Sequence, residues 1–163
     1  MSWMLKVMTR GRPLVDADVL KAFGRTPTSV DIAGPRRFLR AAGADNNPYG
    51  RWWFEAAVLL NLQAQFDRIP LPPGHRREAI LGQLRAATAI SIDWNTLSEF
   101  WFMEVPGGHS LNALVGPAKE QPLFSLANKL HNPNLTLRGG ISQYYFPIIN
   151  PLWVSRFGSY FDL

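Results

Sequence analysis

The side chains able to break or make bonds are few and scattered. Three histidines, His75, His109 and His131, lie far apart, without the i,i+4 spacing that sets two metal ligands on one helix face. The chain has no Cys, which removes thiol nucleophiles, thiolate zinc sites and disulfides. Its five glutamates, Glu55, Glu78, Glu99, Glu104 and Glu120, form no close pair, so two-carboxylate acid–base chemistry is not signalled. Neither a Gly-x-Ser-x-Gly elbow nor a Gly-rich phosphate loop occurs.

Two stretches remain. The first is Asn47-Pro48-Tyr49-Gly50-Arg51-Trp52-Trp53-Phe54. Each adjacent indole offers about 200 Å² of surface. The pair reads either as core or as a flat wall for a planar ring, with Arg51 or Tyr49 beside it. The second is Leu137-Arg138-Gly139-Gly140-Ile141-Ser142-Gln143-Tyr144-Tyr145-Phe146. Its glycines allow a sharp turn or a close approach to a ligand. On a strand, Ile141, Gln143 and Tyr145 would point one way and Ser142, Tyr144 and Phe146 the other. Gln143 is then either bonded to backbone or aimed into a cleft.

Charge adds a third feature. The 163 residues carry a net charge of +5. The first 40 residues hold eight cations and three anions, and so the whole excess. Such a segment suits nucleic acid, an acidic protein or a phosphate-bearing small molecule, or it is simply solvated. With 47% hydrophobic residues, and 6 Trp, 10 Phe and 4 Tyr, a core is expected rather than disorder. No run of about 18 apolar residues could span a membrane. The start lacks the form of a secretory signal.

Those stretches need elements to hold them. Residues 16–23 read as a short helix capped by Asp16, and 24–35 as a loop. Residues 37–41 suit a short strand. Residues 51–65 begin as strand or turn and continue as a buried helix. Pro70, Pro72, Pro73 and Gly74 break the chain before a helix over 75–87, with Ile80, Leu81, Leu84 and Ala87 at helical spacing. Residues 100–105, 111–115 and 141–149 read as strands. The expectation is an α+β fold, helices first and strands after.

In this order the chain resembles a known family. The resemblance rests on an Arg-bearing strand, the aromatic segment after Gly50, Asp93-Trp94-Asn95, Val105-Pro106-Gly107-Gly108, Gly116-Pro117-Ala118 followed by Gln121-Pro122, and Gly139-Gly140-Ile141-Ser142-Gln143-Tyr144-Tyr145. Over roughly residues 36–152 it resembles the ADP-ribosyltransferase fold, and within it toxin domains of the tuberculosis-necrotizing-toxin type, which hydrolyse NAD. The resemblance implies short N-terminal helices and a small split antiparallel sheet. It divides the chain into a basic helix-and-loop segment, 1–35, and one globular unit, 36–163.

It also implies roles. Gln143 and Arg40 would be catalytic, with Arg37 the alternative first-strand arginine. Trp52, Trp53, Phe54, Ser142 and Tyr145 would bind substrate. NAD would be the substrate, with no cofactor and no metal. The usual hydroxyl residue beside the aromatics is missing, and no Glu accompanies Gln143, which argues for hydrolysis over transfer to arginine. An immunity protein, a protein or nucleic-acid acceptor, no membrane partner and action as a delivered effector in a target-cell cytosol follow by resemblance alone. A nucleic-acid-binding module using the basic N-terminal segment, and a non-catalytic interaction domain of the same fold, remain alternatives.

Overall fold

Alternating apolar residues in short runs build one large sheet, and two helices cover part of it. The computed structural model describes residues 17–42, 50–72, 74–88, 99–122 and 136–159. Asp16, Asp93-Trp94-Asn95 and the turn residues 44–49 lie outside the described residues. A short helix α1 (Ala17–Lys21) precedes β1 (Thr28–Ala33) and β2 (Arg36–Ala42). Then come β3 (Trp52–Glu55), α2 (Ala56–Asp67), α3 (His75–Thr88), β4 (Glu99–Val105) and β5 (Ser110–Pro117). A small ribbon, β6 (Gln121–Pro122) with β7 (Thr136–Leu137), leads to β8 (Ser142–Tyr145). A 3-10 turn (Pro151–Trp153) and β9 (Val154–Ser159) follow.

The main sheet has seven strands in the order β1-β5-β8-β3-β2-β4-β9, every neighbour antiparallel. The fold is mixed α and β, as the composition of elements suggested, but the sheet is larger than the small one expected. Nor do the helices all come first, since β1 to β3 precede α2 and α3.

Two further expectations are corrected. Within the supposed loop at 24–35, residues 28–33 form β1, paired with β5 from Thr28↔Val115 to Ala33↔Ser110. Flanking Pro, Thr and Gly hid an alternation of Val30 and Ile32. The strand expected over 141–149 runs only over Ser142–Tyr145. Pro147 has no N–H to extend the ladder, and the Phe146 N–H turns to Arg51 O at 2.9 Å.

The two faces differ. On one, Leu39, Ala41, Phe54 and Phe100 pack beneath Ala56 and Leu59 of α2 and Ile80 and Leu84 of α3. These helix residues recur at three- and four-residue spacing, which is why both helices lie flat on the sheet. On the other face, Ile32, Phe38, Trp53, Met103, Val105, Ala113, Tyr144 and Phe146 form a second cluster, most of it fully buried.

Neither α2 nor α3 covers this second cluster; Trp153 of the 3-10 turn packs against it, and the sheet itself curls round it. Topology demands that curl. Only Gly34 and Pro35 join β1 to β2, yet three strands lie between them in the sheet. At that corner Gly34 bridges Gly107 and its N–H reaches His109 O at 2.9 Å. A Cβ on Gly34 would overlap the Pro106 carbonyl, so only glycine fits. The curled-in side is the inner face of the sheet.

Candidate functional site

Strand β3 lies between β2 and β8. These three strands therefore bring the arginine-bearing stretch, the aromatic stretch and the Gln-Tyr-Tyr stretch side by side. Pairing sets what meets what. Phe38 faces Glu55, Leu39 faces Phe54, Phe54 faces Gln143 and Trp53 faces Tyr144. Directly paired residues share a face and successive residues alternate. Phe38, Trp53, Glu55 and Tyr144 are thus inner-face residues, and so is Arg36, two before Phe38.

There the three strands make one polar set. The Tyr144 hydroxyl donates to Glu55 Oε1 at 2.7 Å. Arg36 Nη2 donates to the same oxygen in a short ion-pair contact. The Arg36 guanidinium carbon also stands 5.5 Å from the Phe38 ring centroid, a cation–π distance. Below lie the Phe38, Tyr144 and Phe146 rings, with Phe38 edge-on to the other two at 4.8 and 5.0 Å. Among the described residues Glu55 Oε2 makes no bond. The Arg36 and Glu55 side chains keep 40% and 39% of their surface exposed, so a solute can reach them from solvent.

Local structure frees Glu55 for this. It ends β3 and stands at the N-cap of α2 with extended φ −65° and ψ 135°, yet its side chain makes no capping bond. The carboxylate turns to the sheet instead. Burial pushes the Tyr144 phenol up to about 12, aided by its bond to Glu55 and that carboxylate's charge, while Arg36 opposes the shift. Tyr144 therefore remains a proton donor at neutral and moderately alkaline pH.

The residues singled out from the sequence divide between the two faces. Trp52, Phe54, Gln143 and Tyr145 gather on the helix-bearing face. Trp52 touches Tyr145 (4.9 Å between centroids) and Phe23 (5.4 Å). Phe54 is buried beneath α2 and α3. The Gln143 amide donates to Ala22 O at 2.8 Å, and the Lys119 N–H reaches the same oxygen at 3.2 Å. That bond is to backbone, one of the two readings open to Gln143. It ties the 17–24 segment to β8.

Trp53, Arg40 and Ser142 belong to the inner face. Trp53 is core, 2% exposed, with Nε1 donating to Gly50 O at 2.7 Å. Arg40 lies against Gly50 and donates from Nη1 to Trp52 O at 3.0 Å. Burial lowers its pKa from the ordinary arginine value. Ser142 is exposed at the start of β8, on the face of Tyr144. Arg37 is exposed, paired with Glu104 at 3.3 Å and 5.0 Å from the Phe102 centroid. One crevice lined by Arg40, Trp53 and Gln143 is therefore not what forms, because Gln143 and Trp53 point to opposite faces.

The three stretches do converge, but through other residues. Arg36, Glu55 and Tyr144 each stand next in sequence to one singled out, Arg37, Phe54 or Gln143. A shift of one residue along a strand swaps its faces. The sequence does carry a signal for this set: Trp53 and Glu55 alternate onto one side of β3, as Ser142 and Tyr144 do on β8. No protein-family model, curated protein or solved structure matches this chain.

Proposed function

We propose that this protein cleaves the nicotinamide–ribose bond of NAD by hydrolysis, at the site formed by Arg36, Glu55 and Tyr144, on a sheet that varies the ADP-ribosyltransferase-like fold. One observation carries the reading: β2, β3 and β8, which bear the stretches resembling that family, are consecutive strands and meet in a solvent-reachable Arg–Glu–Tyr set. In this reading Glu55 is the carboxylate of the reaction, on the opposite face of the sheet from Gln143.

The chemistry suits those groups. As the bond breaks, its electron pair goes to the pyridinium nitrogen and neutral nicotinamide leaves without an acid. Positive charge grows on the ribose anomeric carbon, as in glycoside hydrolysis. Glu55 Oε2, free of other bonds among the described residues, stabilises that charge. Arg36 and Tyr144 hold Oε1 and fix the carboxylate in place, a preorganised electrostatic role. Water adds to the carbon and loses one proton to solvent, giving ADP-ribose, nicotinamide and a proton. Gln143 acts behind β8 as a positioning residue.

The test is incubation of the protein with NAD, following nicotinamide by chromatography. Catalytic release of nicotinamide supports the reading. A folded protein that leaves NAD intact overturns it and favours a non-catalytic interaction domain.

A further inference from the structure

Strand β1 is an edge of the main sheet and pairs with β5 alone. Register decides where its backbone groups point. The Gly34 N–H reaches His109 O at 2.9 Å, in continuation of the β1–β5 register that runs from Thr28↔Val115 to Ala33↔Ser110. In an antiparallel ladder alternate residues exchange both bonds with their partner, and the residues between them point the other way. Val30 and Ile32 therefore turn their N–H and C=O groups to β5. The Asn112 amide donates to Val30 O at 3.4 Å, as that orientation requires. Ser29, Asp31 and Ala33 turn theirs outward. Among the described residues nothing bonds these outward groups, and every residue of β1 except Ile32 is exposed.

An open edge of this kind is usually blunted by Lys, Pro or a bulge. β1 contains neither Lys nor Pro, and its pairing with β5 runs without a bulge. Its one charge, Asp31, lies on the helix-bearing face, where Asn112 Nδ2 donates to Oδ1 at 3.0 Å. On the inner face Val30 keeps an apolar side chain 37% exposed beside the buried Ala113. Outward N–H and C=O groups in this pattern are matched by another extended strand.

A second copy of β1 fits this edge. In a two-fold antiparallel pair the outward residues must face one another, so the axis falls at Ser29, Val30 or Asp31. An axis at Asp31 sets two carboxylates directly opposite, which is destabilising. An axis at Ser29 sets Asp31 opposite Pro27, which has no N–H to give. An axis at Val30 sets Ser29 of each copy opposite Asp31 of the other. Those residues exchange backbone bonds, and the Ser29 hydroxyl meets a carboxylate. Val30 then packs on Val30 and Thr28 on Ile32, covering the exposed apolar surface.

We propose that β1 is a self-association edge: two copies of this chain pair their β1 strands antiparallel about Val30 and join their seven-stranded sheets into one. A contact one strand long, about 20 Å, is small beside the about 1,200–2,000 Å² buried in stable complexes. The dimer is therefore reversible and grows with protein concentration. It stands apart from the NAD-cleavage reading, whose failure would leave it untouched.

The experiment is sedimentation velocity of the full chain from about 10 to 500 µM, where mass action reveals a weak dimer, with circular dichroism and thermal melts checking each variant's fold. Wild type should shift from monomer toward dimer. Val30→Lys should associate at least about tenfold more weakly, since like charges then face each other across the axis. A cross-link reads the register independently of that variant. The chain has no Cys, so Val30→Cys carries a single thiol, and mild oxidation should link it into dimers because facing residues lie within the about 4.4–6.8 Å Cα range of a disulfide. Thr28→Cys should not link, its counterpart lying about 14 Å away along the paired strands. Leu60→Cys, exposed on α2, controls for random collision. Wild type that stays monomeric throughout overturns the proposal. So does a folded Val30→Lys that associates like wild type, or linking through Thr28→Cys or Leu60→Cys as readily as through Val30→Cys.

Discussion

The Tyr144 hydroxyl and Glu55 Oε1 are 2.7 Å apart, joined from neighbouring strands across the inner face. Tyr144 is nearly buried and Glu55 is not. The contact thus links the aromatic floor to a carboxylate that solvent reaches. Removing the hydroxyl leaves the floor intact but frees the carboxylate to turn. Tyr144→Phe should lose about 1.5–3 kcal/mol of stability, the range for a hydrogen bond to a charged group. It should also slow nicotinamide release at unchanged secondary structure. Urea unfolding and turnover, measured together, check both.

Alkaline pH should weaken the fold through the same residue. The Tyr144 phenol is raised from 10.0 to about 12 in the folded chain, burial being the largest cause. A group with a raised pKa contributes stability that is whole below its unfolded value and lost as pH rises through the folded one. Wild type should therefore lose stability between about pH 10 and 12 more steeply than Tyr144→Phe. Thermal melts of the two across that window give the comparison; parallel slopes would count against the assigned shift.

Gln143→Ala should behave differently from any change at the triad. Its amide holds Ala22 O on the helix-bearing face. A neutral hydrogen bond of this kind is worth about 1 kcal/mol net. The variant should melt earlier and leave the 17–24 segment more open to protease, yet lose far less nicotinamide release than a change at Glu55 does. Loss of turnover with unchanged melting would return Gln143 to the catalytic centre.

Gly34→Ala should be among the most damaging single changes. A Cβ there overlaps the Pro106 backbone at the corner where β1 turns into β2. Backbone cannot yield as a side-chain tip can, so a loss of about 3 kcal/mol, the upper end for overpacking, is expected. Gly82→Ala is the control, since a Cβ at that position of α3 meets nothing within 4 Å. It should be neutral or gain stability from helix propensity.

Much of this was legible in the chain. The breaks at Pro70–Gly74 and the spacing of Ile80 and Leu84 gave α3 almost to the residue, and the passage from strand into helix within residues 51–65 was legible too, although α2 is not the buried helix its apolar run suggested: only Ala56 and Leu59 are buried, and Leu60 is 54% exposed. Strand β1 was not, because Pro27, Thr28 and Ser29 look like turn chemistry and only pairing with β5 makes them a strand. The site was legible to the strand but not to the face. Facing depends on register, and register is set by partners such as Phe38↔Glu55 and Trp53↔Tyr144, which no local pattern reveals. The role of Glu55 is hidden in the sequence for a related reason. Its partners Arg36 and Tyr144 are 19 and 89 residues away, so the charge cluster exists only after folding.

The central claim is that Glu55 carries the cleavage of NAD. The direct measurement is the rate of nicotinamide release by wild type beside Glu55→Gln, at equal concentration, with circular dichroism showing both folded. Glutamine keeps the shape and removes the charge, so the account predicts a fall of about 10²-fold or more, the scale of losing one preorganised electrostatic group. A folded Glu55→Gln protein releasing nicotinamide as fast as wild type would contradict it.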